Sequence, residues 1–419
     1  MNKIEKLIQE LCPEGVQHKF LWQVTAWDKR FNAVENHKQV KFHKYTYVLA
    51  ANLKSLAVAG GDVKLLSTGS DSPGWTTVEM AGDLVVDAEI VAIPWGGKAV
   101  VHYFRGPFVT ADNRIAQVLE KSELSTKFLY YVMLGKLDEI ESFYRGSGIR
   151  HPDMSKVLDL RIPVPPLLLQ HEIVSILDKF TELEAELEAE LEAELEARKR
   201  QFNYFVDELT SAGTASRFGG HTGPLGDLGE FVRGSGLQKS DLSEEGAPAL
   251  HYGQIFTYYK TKIHSAKSMV APKLAASIRQ AEHGDVIVAA TSENIEDVCK
   301  SVVWLGQGDL AVGGETYIFK HELDPLYATY LFRSSDFQYQ KLSHISGTKV
   351  KRVSGKALEK MTVSVPDREA QVRIGSFLSQ LEDLLGDVNE GLPAEIQARR
   401  KQYGYYRNKL LTFKELDAA

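Results

Sequence analysis

Cysteine is nearly absent from this chain, with only Cys12 and Cys299 in 419 residues. Without a CxxC pair or neighbouring histidines, neither a disulfide framework nor a zinc site organises the fold. Long apolar runs are missing too, and nothing approaches the roughly 20 residues of a membrane helix. The first residues, MNKIEKLIQELCPEG, read as a short charged amphipathic helix and not as a signal sequence, so the expected location is the cytoplasm. Catalytic motifs are also lacking. Residues 347–357 place glycine, lysine and alanine at the wrong spacing for a phosphate cradle, and Gly234-Ser235-Gly236 is too short for a dinucleotide fingerprint. No Asn-Pro-Pro-aromatic methyltransferase loop occurs, and Pro366-Asp367-Arg368-Glu369 lacks the lysine and paired acids of a metal nuclease. His151, His171 and His264 have no metal-like neighbours and read as structural or surface residues. The expectation is a chain that is not an enzyme and holds no cofactor or metal of its own.

What is present is a repeat. Gly146-Ser147-Gly148-Ile149-Arg150 returns as Gly347-Thr348-Lys349-Val350-Lys351, 201 residues later, and Val164-Pro165, Gln170, Ile173, Arg198, Tyr204 and Leu209 return at the same offset. Earlier pairs drift: Leu21-Trp22-Gln23-Val24 with Leu225-Gly226-Asp227-Leu228, Gly82-Asp83 with Gly284-Asp285, and Phe128 and Tyr131 with Tyr327 and Tyr330. A domain-sized period means two copies of one architecture, so a pseudo-twofold molecule is expected. Each copy is dominated by short β-branched and aromatic runs broken by glycine, as at residues 45–49, 84–86, 90–93 and 99–104, with one helix near 125–137. Drifting loops on a constant framework suit two binding surfaces. Duplication for bulk alone is the competing reading.

The formal charge of −7 is misleading, because eight glutamates alternate through residues 182–196 and the chain without them carries +1. Those glutamates belong to Leu-Glu-Ala-Glu units starting at Leu183, Leu187 and Leu191, a strong helix-forming run. Leu183, Leu187, Leu191 and Leu195 are expected to seam against Leu381, Leu384, Leu385, Val388, Leu392 and Ile396 of a second long helix. That second helix should kink at Gly391-Leu392-Pro393 or restart there. Asp383, Asp387 and Glu390 make it acidic as well, so charge pairing is not expected to hold the helices together.

Two segments interleave basic and aromatic residues without any acid, which is the footprint of a nucleic-acid surface. Residues 36–61 carry Lys38, Lys41, Lys44 and Lys54 with Phe42, Tyr45 and Tyr47; residues 258–279 carry Lys260, Lys262 and Lys267 beside Tyr258 and Tyr259. The lysines suit phosphates, while Asn52, Gln238, Gln254 and Asn294 suit base edges. Solvated edge strands would leave the same pattern. Ser147 and Arg150 in the first glycine segment, and Thr348, Lys349, Lys351 and Arg352 in the second, fit either a phosphate-gripping loop or a tight turn that needs glycine.

The Ile162-Pro163-Val164-Pro165-Pro166 entry with Gln170, its echo at Val363-Ser364-Val365-Pro366 with Gln371, the tandem Leu-Glu-Ala-Glu units and the basic endings at Arg198 and Arg399 are similar to the specificity subunits of type I restriction-modification systems. Ser364 and Asp367 depart from the first copy's Pro163 and Pro166. The resemblance spans the chain and implies an α+β fold: two mostly β target recognition domains separated by two long antiparallel helices in a pseudo-twofold internal repeat. It divides the chain into an N-terminal helix (1–16), a first recognition domain (17–166), a spacer helix (167–210), a second recognition domain (217–366) and a C-terminal spacer helix (367–415). It also implies a bipartite double-stranded DNA target, with the half-site spacing set by the helices. The implied partners are two modification subunits and possibly restriction subunits; S-adenosylmethionine, and ATP with magnesium, would sit on those partners. A structural adaptor whose two modules bind protein is the alternative.

Overall fold

A computed structural model of the chain describes residues 3–67, 74–111 and 113–416, with residues 387–392 described by their backbone alone. It divides into two units: residues 1–189 with 395–419, and residues 190–394. Each unit is a mixed sheet packed on helices. Among the described residues no helix is long and apolar enough to cross a membrane.

Unit 1 opens with α1 (Lys3–Leu11) and continues through β1 (Gln17–Phe20), β2 (Thr25–Trp27), β3 (Val63–Leu66), β4 (Trp75–Thr76), β5 (Val86–Pro94), β6 (His102–Thr110), β7 (Asn113–Val118), α2 (Thr126–Gly135) and β8 (Arg161–Val164). Its six-stranded sheet runs β2-β7-β5-β6-β3-β4. Only β3 and β6 are parallel neighbours; the other pairs are antiparallel. Beside it β1 pairs with β8, Gln17 opposite Val164 and Phe20 opposite Arg161. The following helix, α3 (Leu167–Leu209), buries Leu169, Ile173 and Leu177 against Phe128, Leu129 and Ile4.

Unit 2 repeats this plan. A short helix, α4 (Ala212–Arg217), leads into β9 (His221–Pro224), β10 (Gly229–Arg233), β11 (Lys262–Ile263), β12 (Val286–Ala289), β13 (Ser301–Trp304), β14 (Thr316–His321), α5 (Pro325–Leu331), β15 (Thr362–Val365) and α6 (Arg368–Leu411). The sheet runs β10-β14-β12-β13-β11, with the parallel pair again between the fourth and fifth strands, β13 and β11, which here is the last pair. β9 pairs with β15 as β1 does with β8. A four-stranded sheet built from Ala247–Leu250, Ser268–Val270, Gln280–Ala281 and Leu310–Val312 has no counterpart among the described residues of unit 1.

Sheet pairing corrects one sequence match. Trp27 faces Ala116 as Phe231 faces Phe319, and Val91 faces Ala116 as Val286 faces Phe319. On this side of the strand Val286 takes the place of Val91. On the other, Val303 pairs with Val286 and Lys262 as Phe108 does with Val86 and Lys64, so Val286 takes the place of Val86. Aligning Gly82-Asp83 with Gly284-Asp285 instead sets it on Leu84. In unit 1 Gly82–Leu84 forms a 3-10 turn, and the long strand β5 begins only at Val86. Residues 45–49, expected as a strand, contribute a single bridge from Tyr47 to Thr110.

The long helices bring three further corrections. Pro393 lies inside α6, which runs through without restarting. The expected leucine seam is open at Leu183, 59% exposed, and at Leu384, 64% exposed. A leucine every fourth residue drifts by about 40° per step and leaves the contact face. The side chains of Asp387, Val388, Glu390 and Leu392, expected in this seam, lie outside the described residues. Within unit 1, Arg400 reaches Glu188 and lies 3.7 Å from Glu184, so charge pairing does contribute between the helices. Such exposed pairs are worth about 0–1 kcal/mol each. Phe180 packs edge-on to Tyr403, whose hydroxyl lies 3.2 Å from Thr181 Oγ1.

Candidate nucleic-acid interface

Leaving β2, the chain runs Asp28-Lys29-Arg30 into a loop that faces the start of β7 and a short ladder, Tyr144–Arg145 with His151–Pro152. Lys29, Arg30, Arg114, Arg145 and His151 converge there on a cleft of about 650 Å³. The cations sit over rings: Lys29 Nζ is 5.2 Å from the Tyr47 centroid, Arg30 5.1 Å from Phe42 and Arg114 5.6 Å from Phe31. Rings beneath cations hold the charges out in a defined array while leaving their outer faces to an anion. Asp153 is the acid that lines the cleft, while Asp28 lies largely buried behind it, 3.8 Å from Lys29. Burial pushes the Asp28 carboxyl up to about 6, although the Ile115 amide, Lys29 and Arg114 all pull it down.

The two glycine segments are hairpin turns. Gly146 has φ 139°, and a Cβ there would meet the Ile149 carbonyl at 2.8 Å; Gly347 has φ 90°, and its Cβ would meet the Val350 carbonyl at 2.1 Å. Glycine is thus required by the turn itself. The cations around the turns are disposed differently. Arg150 pairs with Glu141, and Lys351 Nζ donates back to the Thr348 carbonyl at 3.0 Å. Lys349 and Arg352 are exposed, and their side chains have no partner among the described residues. Ser147 and Thr348 sit exposed at the turn tips.

The remaining candidates separate by their partners. Lys41, Lys44, Asn52 and Lys54 are exposed in unit 1. Lys38 is held by Asp159 at 2.8 Å and Glu35 at 3.2 Å. Lys262 donates to Asp383 at 2.6 Å and to Ser379 at 2.7 Å, which fastens β11 to α6. Lys267 lies 4.0 Å from the Tyr258 ring, and Lys260 lines a cleft of about 600 Å³ with Lys199, Lys300 and Arg333. Gln254 closes a helix cap, accepting the His251 amide at 3.1 Å and donating to Ser268 at 2.7 Å. Asn294 exchanges bonds with Asp297 inside its own loop, while Gln238 is exposed.

Sequence reasoning missed the Lys29-Arg30 cleft and assigned His151 to structure or surface. Asp28 and Glu35 bracket the pair and exclude it from any acid-free window, while Arg114 and Arg145 arrive only through the sheet. The signal available was two adjacent cations directly after an apolar strand. Among the described residues no group of three or more His, Cys, Asp or Glu side chains is placed to hold a metal. Both thiols are buried, which pushes them above their usual range.

The geometry offers two related sheets, each with a glycine hairpin and cations at one edge. A family model described as "Type I restriction modification DNA specificity domain" matches twice, over residues 54–197 and 222–398. A putative type I restriction enzyme specificity subunit from Haemophilus influenzae is 27% identical over 307 residues, covering 72% of this chain and 76% of the relative. A putative type I specificity subunit from Mycoplasma pneumoniae is 30% identical over 329 residues, 76% of this chain and 91% of that one. In fold, the chain is similar to one solved in work on the complex assembly and conformational transition of the type I R-M system. The TM-score is 0.66 at 13% identity, with 96% of this chain and 98% of that one covered.

Proposed function

This chain belongs to the type I restriction-modification specificity family, and from that premise we propose that it is the DNA-reading subunit of such a complex. Each unit reads one half of a bipartite site. Partner subunits carry out adenine methylation and restriction, using S-adenosylmethionine and ATP with magnesium, and this chain contributes the address. The observation that carries the reading is the repeated sheet, with the same strand order, the same parallel pair and the same glycine hairpin in both units. One framework used twice, with different exposed loops, is what two unequal half-sites require. The basic and aromatic cleft of unit 1 supplies phosphate contacts, and exposed Lys349 and Arg352 do so in unit 2.

Two modification subunits would dock on the related helix faces. Tyr204 and Tyr405, which correspond by the 201-residue offset, are 62% and 63% exposed, and Phe377 and Leu168 are exposed in units 2 and 1. Large exposed apolar side chains on each unit suit two copies of one partner. The Leu-Glu-Ala-Glu run would set the distance between half-sites.

The test maps adenine methylation across a host genome with and without this chain, the modification partner being present in both. A bipartite motif that vanishes with the chain is the expected result, and an unchanged methylome overturns the reading.

A further inference from the structure

In unit 1 the connection between β5 and β6, residues 95–101, is laced to the glycine hairpin. The Gly97 amide donates to the Arg150 carbonyl at 2.8 Å. The Ala99 amide donates to Glu141 Oε2 at 2.5 Å, and the same carboxylate holds the Arg150 guanidinium. His151 Nδ1 donates to the Trp95 carbonyl at 3.0 Å, its ring 4.3 Å from the indole. Since His151 also lines the cationic cleft, this tip stands at the cleft's rim.

The matching connection in unit 2, between β12 and β13, is laced to its own hairpin by different bonds. Thr291 and Ser292 pair with Arg352 and Lys351. Lys341, 2% exposed, donates to the Glu296 and Val298 carbonyls at 3.1 and 2.9 Å and so pins the loop from beneath. Cys299, with φ 69°, turns the chain back into the sheet. Two unrelated sets of fastenings hold the same loop to the same hairpin.

The exposed tips have opposite chemistry. Trp95 and Lys98 are exposed in unit 1; Glu293, Asn294, Ile295 and Glu296 are exposed in unit 2. The Glu293 side chain has no partner among the described residues and Glu296 meets only the electrostatic pull of Lys341 beneath it, yet both neighbour the ladder that carries Lys351 and Arg352. Carboxylates are repelled by a phosphate backbone but accept hydrogen bonds from the exocyclic amino groups of cytosine or adenine. Phosphate contacts position a protein without reading sequence, so an acid held rigidly among phosphate-binding cations fits a base edge.

We infer that residues 95–98 and 293–296 are the base-reading tips, one per half-site, each seated by a glycine hairpin whose neighbouring cations take the flanking phosphates. The inference rests on the chain being a DNA specificity subunit. Lys98 then reads the acceptor edge of guanine and Trp95 packs on a neighbouring base. Glu293 and Glu296 read amino groups, so the half-site of unit 2 carries cytosine or adenine where they reach.

The experiment maps methylation motifs for the complex with its modification partner, comparing wild type with Trp95→Ala/Lys98→Ala and with Glu293→Ala/Glu296→Ala. Each double variant is expected to lose about 10-fold discrimination at one or two positions of one half-site, a different half-site for each, with the other half unchanged. Should a double variant fail to assemble, Lys98→Ala and Glu293→Gln, both at exposed side chains, carry the same comparison. Assembled variants with an unaltered motif overturn the tips while leaving the specificity role standing, and so does a uniform loss over both half-sites. A wild-type complex that methylates no bipartite motif overturns the specificity reading, and the tips fall with it.

Discussion

Gln170 and Gln371 make the same clamp in the two units. Each is buried in the first turn of its long helix and donates from Nε2 to the proline carbonyl five residues earlier, Pro165 at 2.7 Å and Pro366 at 2.9 Å. Each accepts the backbone amide of the residue that caps the helix lying against it, Ser125 at 2.8 Å and Asp324 at 2.9 Å. The side chain thus joins sheet exit, long helix and capped helix at one point.

Removing that clamp leaves buried amides and carbonyls without partners. Gln170→Ala and Gln371→Ala should each cost about 2–3 kcal/mol, because an unsatisfied buried group retains its full desolvation penalty. Thermal denaturation checks this, and a loss below about 0.5 kcal/mol would show that the bonds are replaced by water.

Asp28 should make DNA binding depend on pH. Its folded carboxyl titrates near 6 because of burial, above the usual value of about 3.9. Between those values the folded chain holds a proton that the unfolded chain has released, so this group's contribution to stability falls as pH rises through the window. Above about 6 the ionised carboxylate, largely buried behind the cleft and 3.8 Å from Lys29, offsets the charge that Lys29 presents to phosphate. Asp28→Asn should therefore bind DNA roughly 5-fold more tightly than wild type at pH 7.5, with the two converging toward pH 5. Parallel titration curves for the two proteins would refute the effect.

Lys29 and Arg30 should act through phosphates alone. Each lost contact lowers the slope of log affinity against log salt by about 0.9. Lys29→Ala/Arg30→Ala should reduce the slope by about 2 and weaken target and non-target duplexes alike. A change confined to the target duplex would mean that the pair reads bases.

Deleting Leu187-Glu188-Ala189-Glu190 removes one repeat, about 6 Å of helix, against about 3.4 Å per base pair of duplex. The methylated motif should change its spacer by about one to two base pairs and keep both half-sites. Altered half-sites with the old spacer would show that the helix does not measure distance.

The constant parts of the fold were legible in the sequence and the variable parts were not. The 201-residue offset found Gln170 with Gln371 and the two glycine hairpins because these positions are fixed by buried bonds and by backbone sterics. The Gly-Asp match misled because β5 is much longer than β12, and local similarity cannot see which residue faces β7. Lys38 and Lys262 stood out as basic residues in acid-free windows, yet Asp159 and Asp383, the carboxylates that hold them, are each 121 residues away. A window sees charge along the chain, while pairing is decided across it.

Unit 1 is assembled from both ends of the sequence. Val16 bridges to Glu415, the Val16 amide donates to the Lys414 carbonyl at 2.9 Å, and Leu410, Leu411 and Phe413 pack on the cluster that contains Ile4 and Leu21. During synthesis, then, the first unit emerges with part of its apolar surface uncovered and waits for about 200 further residues before its last segment arrives. Unit 2, whose residues are contiguous, can close first. The order of completion is the reverse of the order of translation, so a ribosome that stops early releases a finished second unit joined to an open first one.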